Sequence, residues 1–302
     1  RADAPGRVNH LGEELLGPTL IAFGTPAQKE RFLPKIVAVE ELWAQGYSEP
    51  DAGSDLANVQ TRARRDGDEW VIDGQKVWTS NAHLSQWAFV VCRTEPGSSR
   101  HHGLSFLLVP LDQDGVEIRP IEQLTGGSEF NEVFFTGART AADLVVGEPG
   151  EGWRVAMALL GFERGVSVLG QVVGFARELS GVVELARETG AIDDAVLRDR
   201  LAGLQVELEV MRFQALRGLA TTDPGSASVF KLVWAGWHRR LGEVAMDVAG
   251  TGGLTAGAPY ELDRWQRLFL FSRADTIYGG SDEVQRNILA ERVLGLPKEP
   301  RG

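Results

Sequence analysis

Two separate stretches of the sequence combine residue types that could take part in chemistry. The first, Gln45–Asp55, sets Tyr47, Ser48 and Ser54 among glycine, proline and aspartate residues that favour turns. A loop of this composition presents backbone N–H groups and hydroxyls in a concave run, which suits a phosphate or another electron-rich ligand. The same composition is equally typical of an ordinary surface turn, so the loop alone does not decide between the two.

The second stretch is a helical pattern around Glu163. Glu163, Ser167, Gly170 and Gly174 recur at helical spacing and therefore share one face, beside an apolar stripe. The small residues on that face leave room for a ligand or for a close neighbour. The structural alternative is that Glu163 pairs with an arginine while the glycines pack against another helix.

The residues that precede and surround the loop divide into two regions. Residues 1–44 have a helical pattern, in which Thr25 is a candidate N-cap and Pro26 fits the first helical turn. The following hundred residues contain short apolar runs separated by turn dipeptides, which predicts a small antiparallel β domain. The runs include Trp87–Val91, Leu104–Val109 and Glu132–Phe135, and the dipeptides are Asp66-Gly67, Asp73-Gly74 and Asp114-Gly115.

The last region has helical periodicity. Apolar residues recur at steps of four and three from Val155 to Val173, which predicts one long helix, and again from Leu197 to Ala215. Further helical runs cover Val229 to Val248 and the region from Asp282 to Leu294. We therefore expect a bundle of about four helices, and an α+β arrangement for the whole chain.

The composition excludes several classes of protein. The chain has 302 residues and a net charge of −11, which argues against a nucleic-acid-binding protein. Cys92 is the only cysteine, so neither an intrachain disulfide nor a thiolate zinc site can form. His101-His102 fits a solvated loop better than a metal site, and we expect no metal. No apolar run reaches membrane-spanning length, and a cytoplasmic bacterial protein is expected.

The segments that follow the loop support its interpretation as a ligand-binding loop. A strand-like run, Trp70–Val77, leads into Trp78-Thr79-Ser80-Asn81, and together with the loop these segments resemble the acyl-CoA dehydrogenase family of flavoproteins. The resemblance covers nearly the whole chain and implies three domains: an N-terminal helical domain (1–44), a middle antiparallel β-barrel or sandwich domain (45–148) and a C-terminal four-helix bundle (149–302). Family members begin with more helix than residues 1–44 provide, so most of the first domain is expected to be missing.

The resemblance also implies a reaction. Family members remove two hydrogens from an acyl-CoA thioester to give trans-2-enoyl-CoA, with a glutamate as the base and N5 of FAD as the hydride acceptor. Most carry that glutamate in a Tyr-Glu-Gly motif, where this chain has Tyr278, Gly279 and Gly280. A minority, as in isovaleryl-CoA, long-chain and actinobacterial steroid side-chain enzymes, carry it on a bundle helix, where this chain has Glu163. Desolvation in an apolar pocket raises the pKa of such a carboxylate and makes it a better base.

Further site residues follow from the same resemblance. Trp78 would cover the flavin ring rather than be a core tryptophan at a strand end, and the N–H of Gly279 would stabilise the developing enolate. Ser281 is a candidate N-cap, and Asp282 and Glu283 suit the first turn of a helix better than the role of a base. The predicted cofactor-binding residues are Tyr47, Ser48, Ser54, Trp78, Thr79, Ser80, Asp247, Gly250, Ser281 and Glu283, and the predicted substrate-binding residues are Ser54, Arg164, Tyr278 and Gly280.

Departures from the family pattern leave alternatives open. The stretch Ala186–Asp194 lacks the Arg-x-x-Phe-Gly that grips the flavin diphosphate from a neighbouring subunit, and Asp247 replaces a glutamine there. Gly250–Gly253 follows a helix rather than a strand and is no Rossmann fingerprint. The expected partners are an acyl-CoA, an electron-transfer flavoprotein or similar acceptor, and further subunits of a homo- or hetero-oligomeric dimer or tetramer. The alternatives are a non-catalytic partner subunit of a mixed tetramer and a flavin-dependent oxidase.

Overall fold

The structure is a computed structural model that describes residues 7–163, 168–220 and 225–298. The chain divides into two compact units. The first, here called the sheet unit, comprises Arg1–Glu122 and Ser128–Glu163, and the second, the helical unit, comprises Gln123–Gly127 and Arg164–Gly302. Helices, strands and then helices follow one another along the chain, as the α+β prediction requires.

The sheet unit begins with helices, as predicted. A π-helical segment, Leu11–Leu16, runs into α1 (Gly17–Phe23), and α2 (Pro26–Val37) follows. Thr25 is the N-cap of α2: its side chain accepts a hydrogen bond from the N–H of Gln28, and the Gln28 side chain bonds back to the N–H of Thr25. This reciprocal capping box satisfies two donors that a helix start otherwise leaves unpaired.

Seven strands form one sheet. Their bounds are β1 (Trp43–Gly46), β2 (Arg62–Asp66), β3 (Glu69–Ser80), β4 (Trp87–Arg93), β5 (Leu104–Pro110), β6 (Val116–Ile121) and β7 (Phe130–Ala141). The sheet is mixed rather than wholly antiparallel, because β4 pairs in parallel with β1 and, at one position, with β2. The other pairings are antiparallel. Strand β4 is buried along most of its length, as expected of a strand with partners on both edges.

One predicted turn is wrong. Asp73-Gly74 does not separate two strands but lies within β3, where the register against β7 shifts between Ile72 and Asp73. Gly74 has a φ of +150°, and a Cβ there would lie 2.5 Å from Oγ1 of Thr61. Glycine is therefore required for close packing at an irregularity in the strand and not for a reversal of the chain. Asp66-Gly67 does connect β2 to β3.

The predicted helix across Val155 and Val173 corresponds to two described helices. Helix α3 (Gly152–Glu163) belongs to the sheet unit, and α4 (Val168–Thr189) belongs to the helical unit. The residues that join them lie outside the described ranges.

The helical unit contains five described helices of very different length. After α4 come α5 (Ala195–Ala220), α6 (Ser226–Ala249), α7 (Arg264–Phe271) and α8 (Asp282–Ile288), the last extended by a π-helical segment, Leu289–Val293. The predicted apolar stripe of α5 is buried and packs with α4 and α6 around Trp237 and Leu241. Among the described residues, no helix has both the length and the apolar character needed to cross a bilayer.

Candidate functional site

A β-bulge presents Trp78 at the end of β3. Lys76 is paired with Val133 of β7 and Thr79 with Asn131, so that two residues, Val77 and Trp78, stand opposite one. Trp78 has a φ of +58°, and 57% of its surface is exposed. A bulge redirects side chains in this way, and the exposure excludes the alternative of a core tryptophan.

The bulge also ties β3 to the predicted binding loop. The N–H of Val77 donates to the carbonyl of Ser48 at 2.9 Å, and Nζ of the neighbouring Lys76 donates to the carbonyl of Tyr47 at 3.0 Å. Two successive residues of the strand therefore hold two successive carbonyls of the loop. These two hydrogen bonds hold the loop against the strand that carries Trp78.

A buried ion pair completes this connection. Nζ of Lys76 lies 2.8 Å from Oε1 of Glu49, and the Glu49 carboxylate also accepts the N–H groups of Gln60 and Thr61 at 2.5 and 2.9 Å. Burial opposes the charge on Glu49, but Lys76 and these N–H donors hold the pKa of Glu49 below its ordinary value. Burial lowers the pKa of Lys76 in spite of Glu49. Both groups have hydrogen-bonding partners, as buried charges require.

The remaining residues of the loop and of the end of β3 differ in how far they are exposed. Tyr47 is buried against Phe89 and Phe106, with ring centroids 6.0 and 6.3 Å away, whereas Ser54 is exposed. The Thr79 side chain is buried, and the Thr79 carbonyl accepts from Nδ2 of Asn131 at 2.9 Å. Ser48 and Ser80 are partly exposed.

The exposed groups of these segments are of the kinds that bind flavins. The exposed indole of Trp78 offers a face for a flat ring system, and Ser48, Ser54 and Ser80 are serines that are partly or fully exposed. The side chains of Tyr47 and Thr79, by contrast, are buried.

In the helical unit, Gly279 and Gly280 form a turn before α8. Both have left-handed φ values, +63° and +87°, which favour glycine. The N–H of Tyr278 donates to Ala274, and that of Asp282 to Thr276, both at 3.1 Å. Within the described part of the chain, the N–H of Gly279 has no acceptor, so it can donate to a ligand.

The start of α8 agrees with the sequence prediction. Ser281 is its N-cap and accepts from the N–H of Val284 at 3.4 Å. The Glu283 carboxyl accepts hydrogen bonds from the N–H of Glu283 and from the Ser281 hydroxyl, and these bonds lower the pKa of that carboxyl. Asp282 forms an ion pair with Arg286 at 3.6 Å. Both acids therefore serve the first helical turn.

Asp247, expected to oppose a diphosphate by its charge, has a cationic partner. Nη1 of Arg200 on α5 lies 2.6 Å from Oδ2 of Asp247 on α6. Gly250, which ends α6, is exposed and has a φ of +57°. Arg200 and Asp247 are 47 positions apart, and only the packing of α5 on α6 pairs them, so no local sequence pattern indicates Arg200.

Two of the predicted residues lie at the edge of the described ranges. Glu163 is the last residue of α3, but its side chain lies outside the described part of the chain, as does Arg164. The predicted roles of Glu163 and Arg164 therefore stay predictions.

Two buried polar clusters were missed by sequence reasoning. One is the Lys76–Glu49 pair: Lys76 follows Asp73-Gly74-Gln75 in β3, so no apolar pattern marked it as buried. The other surrounds His238 on the buried face of α6. In the described ranges, no three His, Cys, Asp or Glu side chains group in a way that could hold a metal ion, and the ring of His101 packs 4.4 Å from that of Trp153.

Comparison with known proteins gives consistent results across sequence and structure. The acyl-CoA dehydrogenase middle domain matches residues 44–138, and the acyl-CoA dehydrogenase C-terminal domain matches residues 150–294. Acyl-CoA dehydrogenase IpdE1 of Mycobacterium tuberculosis (strain ATCC 25618 / H37Rv) is 68% identical over 305 residues, which span 100% of this chain and 79% of that protein. IpdE1 of Mycolicibacterium smegmatis (strain ATCC 700084 / mc(2)155) is 65% identical, with the same coverage.

Solved structures with the same fold include two that are named for pairs of chains. The Tcur3481-Tcur3483 steroid ACAD superimposes with a TM-score of 0.88 at 31% identity, covering 96% of this chain and 77% of that one. The ChsE4-ChsE5 complex from Mycobacterium tuberculosis superimposes with a TM-score of 0.85 at 32% identity, covering 97% and 79%.

Proposed function

Because the chain belongs to the flavin-dependent acyl-CoA dehydrogenase family, we propose that it catalyses the α,β-dehydrogenation of an acyl-CoA thioester with Glu163 as the base. The observation that carries this proposal is the pairing of an exposed Trp78 with a loop held to the same strand. Bound FAD would accept the β-hydrogen as hydride. Residues of this chain would bind the flavin, abstract the α-proton and stabilise the charge on the thioester oxygen.

Trp78 and the neighbouring hydroxyls would bind and orient the flavin. The exposed indole of Trp78 would lie against the ring system, with Ser80 near N5 and Ser48 at the pyrimidine edge. Ser54, exposed on the loop, would bind near the pyrophosphate. Lys76 and Glu49 would keep the loop in place without contacting the ligand, since both are buried.

Glu163 would abstract the α-proton of the thioester. Support comes from sequence: Gly279 occupies the position of the usual glutamate and has no side chain that could act as a base. The N–H of Gly279, which has no acceptor among the described residues, would donate to the thioester oxygen as negative charge develops there. Removal of one such donor typically reduces kcat by about 100- to 1,000-fold.

A steroid-derived acyl group is the substrate class that the comparisons favour. One structural neighbour, at 31% identity over 96% of this chain, is a steroid ACAD. A carboxylate on the bundle helix, predicted here at Glu163, is also found in family members that act on such substrates. The neighbours Tcur3481-Tcur3483 and the ChsE4-ChsE5 complex are both named for two chains, which supports a mixed oligomer.

A non-catalytic subunit is the second candidate function. The stretch Ala186–Asp194 lacks the Arg-x-x-Phe-Gly pattern, and Asp247 replaces a glutamine, so this chain could hold less of the cofactor than a full subunit does. The Arg200–Asp247 ion pair favours the catalytic proposal, because it offsets the negative charge that would oppose a diphosphate.

Purification of the protein alone tests the proposal. We expect yellow protein that converts the CoA thioester of a steroid carboxylic acid to a product lighter by two hydrogens, with an artificial electron acceptor. Octanoyl-CoA and isovaleryl-CoA test the alternative acyl classes, and oxygen uptake without the acceptor would indicate an oxidase. Colourless protein, inactive on all three thioesters, would support the partner-subunit alternative instead.

Substitution of Glu163 tests the base. Glu163→Gln should reduce turnover by about 100- to 10,000-fold while the protein stays yellow, because the amide cannot accept the α-proton. Glu184→Gln, on α4 of the helical unit, is the matched control and should retain full turnover. Substantial dehydrogenation by Glu163→Gln would refute the assignment.

A further inference from the structure

A buried charged cluster in the helical unit centres on His238 of α6. Its Nδ1 lies 2.5 Å from Oδ2 of Asp275, and its Nε2 lies 2.9 Å from Oε2 of Glu178 on α4. A neutral imidazole has only one N–H, so it would set a lone pair against one of these carboxylates. The geometry therefore requires the imidazolium. Burial opposes the charge, but the hydrogen bonds to Asp275 and Glu178 outweigh it and raise the pKa of His238 to about 9.

Asp275 connects His238 to the residues that follow Asp275 in the chain. Its Oδ1 accepts the hydroxyl of Tyr278 at 2.7 Å, and its backbone carbonyl accepts Nζ of Lys231 on α6. Lys231 also lies 5.0 Å above the ring of Tyr278. The Asp275 side chain is almost completely buried. Two residues of α6 and one of the turn therefore fix Asp275 in one position.

The turn that begins at Asp275 leads directly to Gly279. Tyr278 precedes Gly279, and Nε2 of Gln285 holds the carbonyls of Gly279 and Gly280 at 3.1 and 3.4 Å from the other side. The turn is thus anchored at both ends by buried side chains, Asp275 and Gln285. Two consecutive left-handed glycines need such anchors, since glycine by itself has the largest conformational freedom.

We propose that His238 is a positioning residue for the reaction: clamped between Glu178 and Asp275, it orients the turn so that the N–H of Gly279 meets the thioester oxygen. This inference rests on the proposed function, in which Gly279 is the donor. The titratable groups that contact His238 are Glu178 from α4 and Asp275 from the turn, and Tyr278 and Lys231 in turn contact Asp275. Phe175 and Trp237 cover the ring, with centroids 4.8 and 6.4 Å away.

The competing explanation is that the cluster only holds α4, α6 and the turn together. A purely structural role predicts lower stability with unchanged chemistry per folded molecule. Positioning predicts a change in kcat and in how strongly the thioester carbonyl contributes to binding, because a misplacement of about 1 Å can reduce a rate about 100-fold.

The test compares His238→Gln with Leu208→Ala. His238→Gln removes the charge, and its single amide nitrogen cannot replace both ring nitrogens that contact Asp275 and Glu178. Leu208→Ala is the matched control: it removes buried apolar contacts of α5 with α4 and α6 and leaves His238, Asp275 and the turn unchanged. Both variants should be less stable. Asp275→Asn, which keeps an oxygen for Tyr278, serves if His238→Gln does not fold.

Two readouts are measured on the flavin-loaded protein. The first is kcat and KM with the CoA thioester of a steroid carboxylic acid. The second is binding of that thioester relative to the S-alkyl-CoA thioether of the same steroid, which lacks the carbonyl. We expect kcat of His238→Gln to fall about 10- to 100-fold with a smaller change in KM, and the preference for the thioester to be lost. Leu208→Ala should keep the kcat and the thioester preference of the wild type.

The outcomes separate this inference from the proposed function. If the wild-type protein oxidises no acyl-CoA, the proposed function fails. If the wild type is active and His238→Gln keeps kcat and the thioester preference within about twofold while losing stability as Leu208→Ala does, the cluster is structural only and the inference is overturned.

Discussion

Nζ of Lys76 lies 2.8 Å from Oε1 of Glu49, and this buried contact joins the strand that carries Trp78 to the loop that precedes it by some 30 residues. Lys76 is completely buried, and it also donates to the carbonyls of Tyr47 and Val91. The pair is therefore part of the geometry of the candidate flavin surface. Neither group is placed to contact a ligand.

Replacement of Lys76 by methionine should both destabilise the sheet unit and weaken flavin binding. Removing one partner leaves a buried, uncompensated carboxylate, which typically costs about 3–5 kcal/mol in free energy of unfolding. Urea denaturation and the flavin content per folded protein measure the two effects. Lys29→Met, at a lysine on α2, is the control, and a double variant with Glu49→Gln should recover part of the loss, because no bare charge remains.

Trp78 should contribute to flavin binding and not to stability. Its side chain is 57% exposed and is the bulged residue of β3, so Trp78→Ala should change the free energy of unfolding by less than about 0.5 kcal/mol. Loss of an aromatic stacking partner should weaken FAD binding by about tenfold, and Trp78→Phe should keep most of the affinity. Fluorescence titration with FAD measures this. Val37→Ala, at an exposed position of α2, should behave as wild type.

Arg200 should contribute more to FAD binding than to the stability of the fold. Its ion pair with Asp247 is exposed, and such pairs contribute at most about 1 kcal/mol to stability. Arg200→Ala would leave the Asp247 charge uncompensated and should weaken FAD binding, whereas Asp247→Asn should preserve it. Arg240→Ala provides the matched control, since it removes another exposed ion pair, with Glu207, between the same two helices. An equal loss of FAD affinity in both arginine variants would contradict a role specific to Asp247.

Stability should decrease at alkaline pH because of His238. Its folded-state pKa of about 9 lies above the ordinary value of 6.5, so the folded state binds the proton more tightly than the unfolded state does. The stabilising contribution is therefore fully present below about pH 6.5 and is lost as the pH rises through about 9. A shift of this size corresponds to roughly 3 kcal/mol.

Urea denaturation between about pH 6 and pH 9.5 measures this dependence. The difference in free energy of unfolding between the wild type and His238→Gln should shrink across that range. Comparison with the variant isolates His238 from the other groups that titrate. Burial raises the pKa of the Cys92 thiol to about 12, so ionisation of this thiol in the unfolded state also lowers stability as the pH approaches its ordinary value of 9, but both proteins contain Cys92 and its effect cancels in the difference. A constant difference across the range would show that His238 does not carry the charge.

Local patterns in the sequence determined much of the architecture. The capping box at Thr25, the N-cap at Ser281 and the apolar stripe of α5 depend on residues a few positions apart, so the sequence alone specifies them. The composition of the segment before β2 indicated a loop, whereas the Trp78-Thr79-Ser80 motif was indicated by the resemblance to the acyl-CoA dehydrogenase family. The predicted turn at Asp73-Gly74 failed because a glycine in a strand can accommodate a close neighbour instead of a reversal.

Tertiary structure alone decided how the charged groups are paired. Lys76 and Glu49 are 27 residues apart, and His238 and Asp275 are 37 apart. Periodicity reports which face of a helix or strand is buried, but it does not report which residue of another element lies opposite. The register of β3 against β7 exposes Trp78, and the packing of α6 against α4 and the turn places two carboxylates around one imidazole. The sequence thus determined the family and the candidate residues, while packing determined which of them are held in place, and by what.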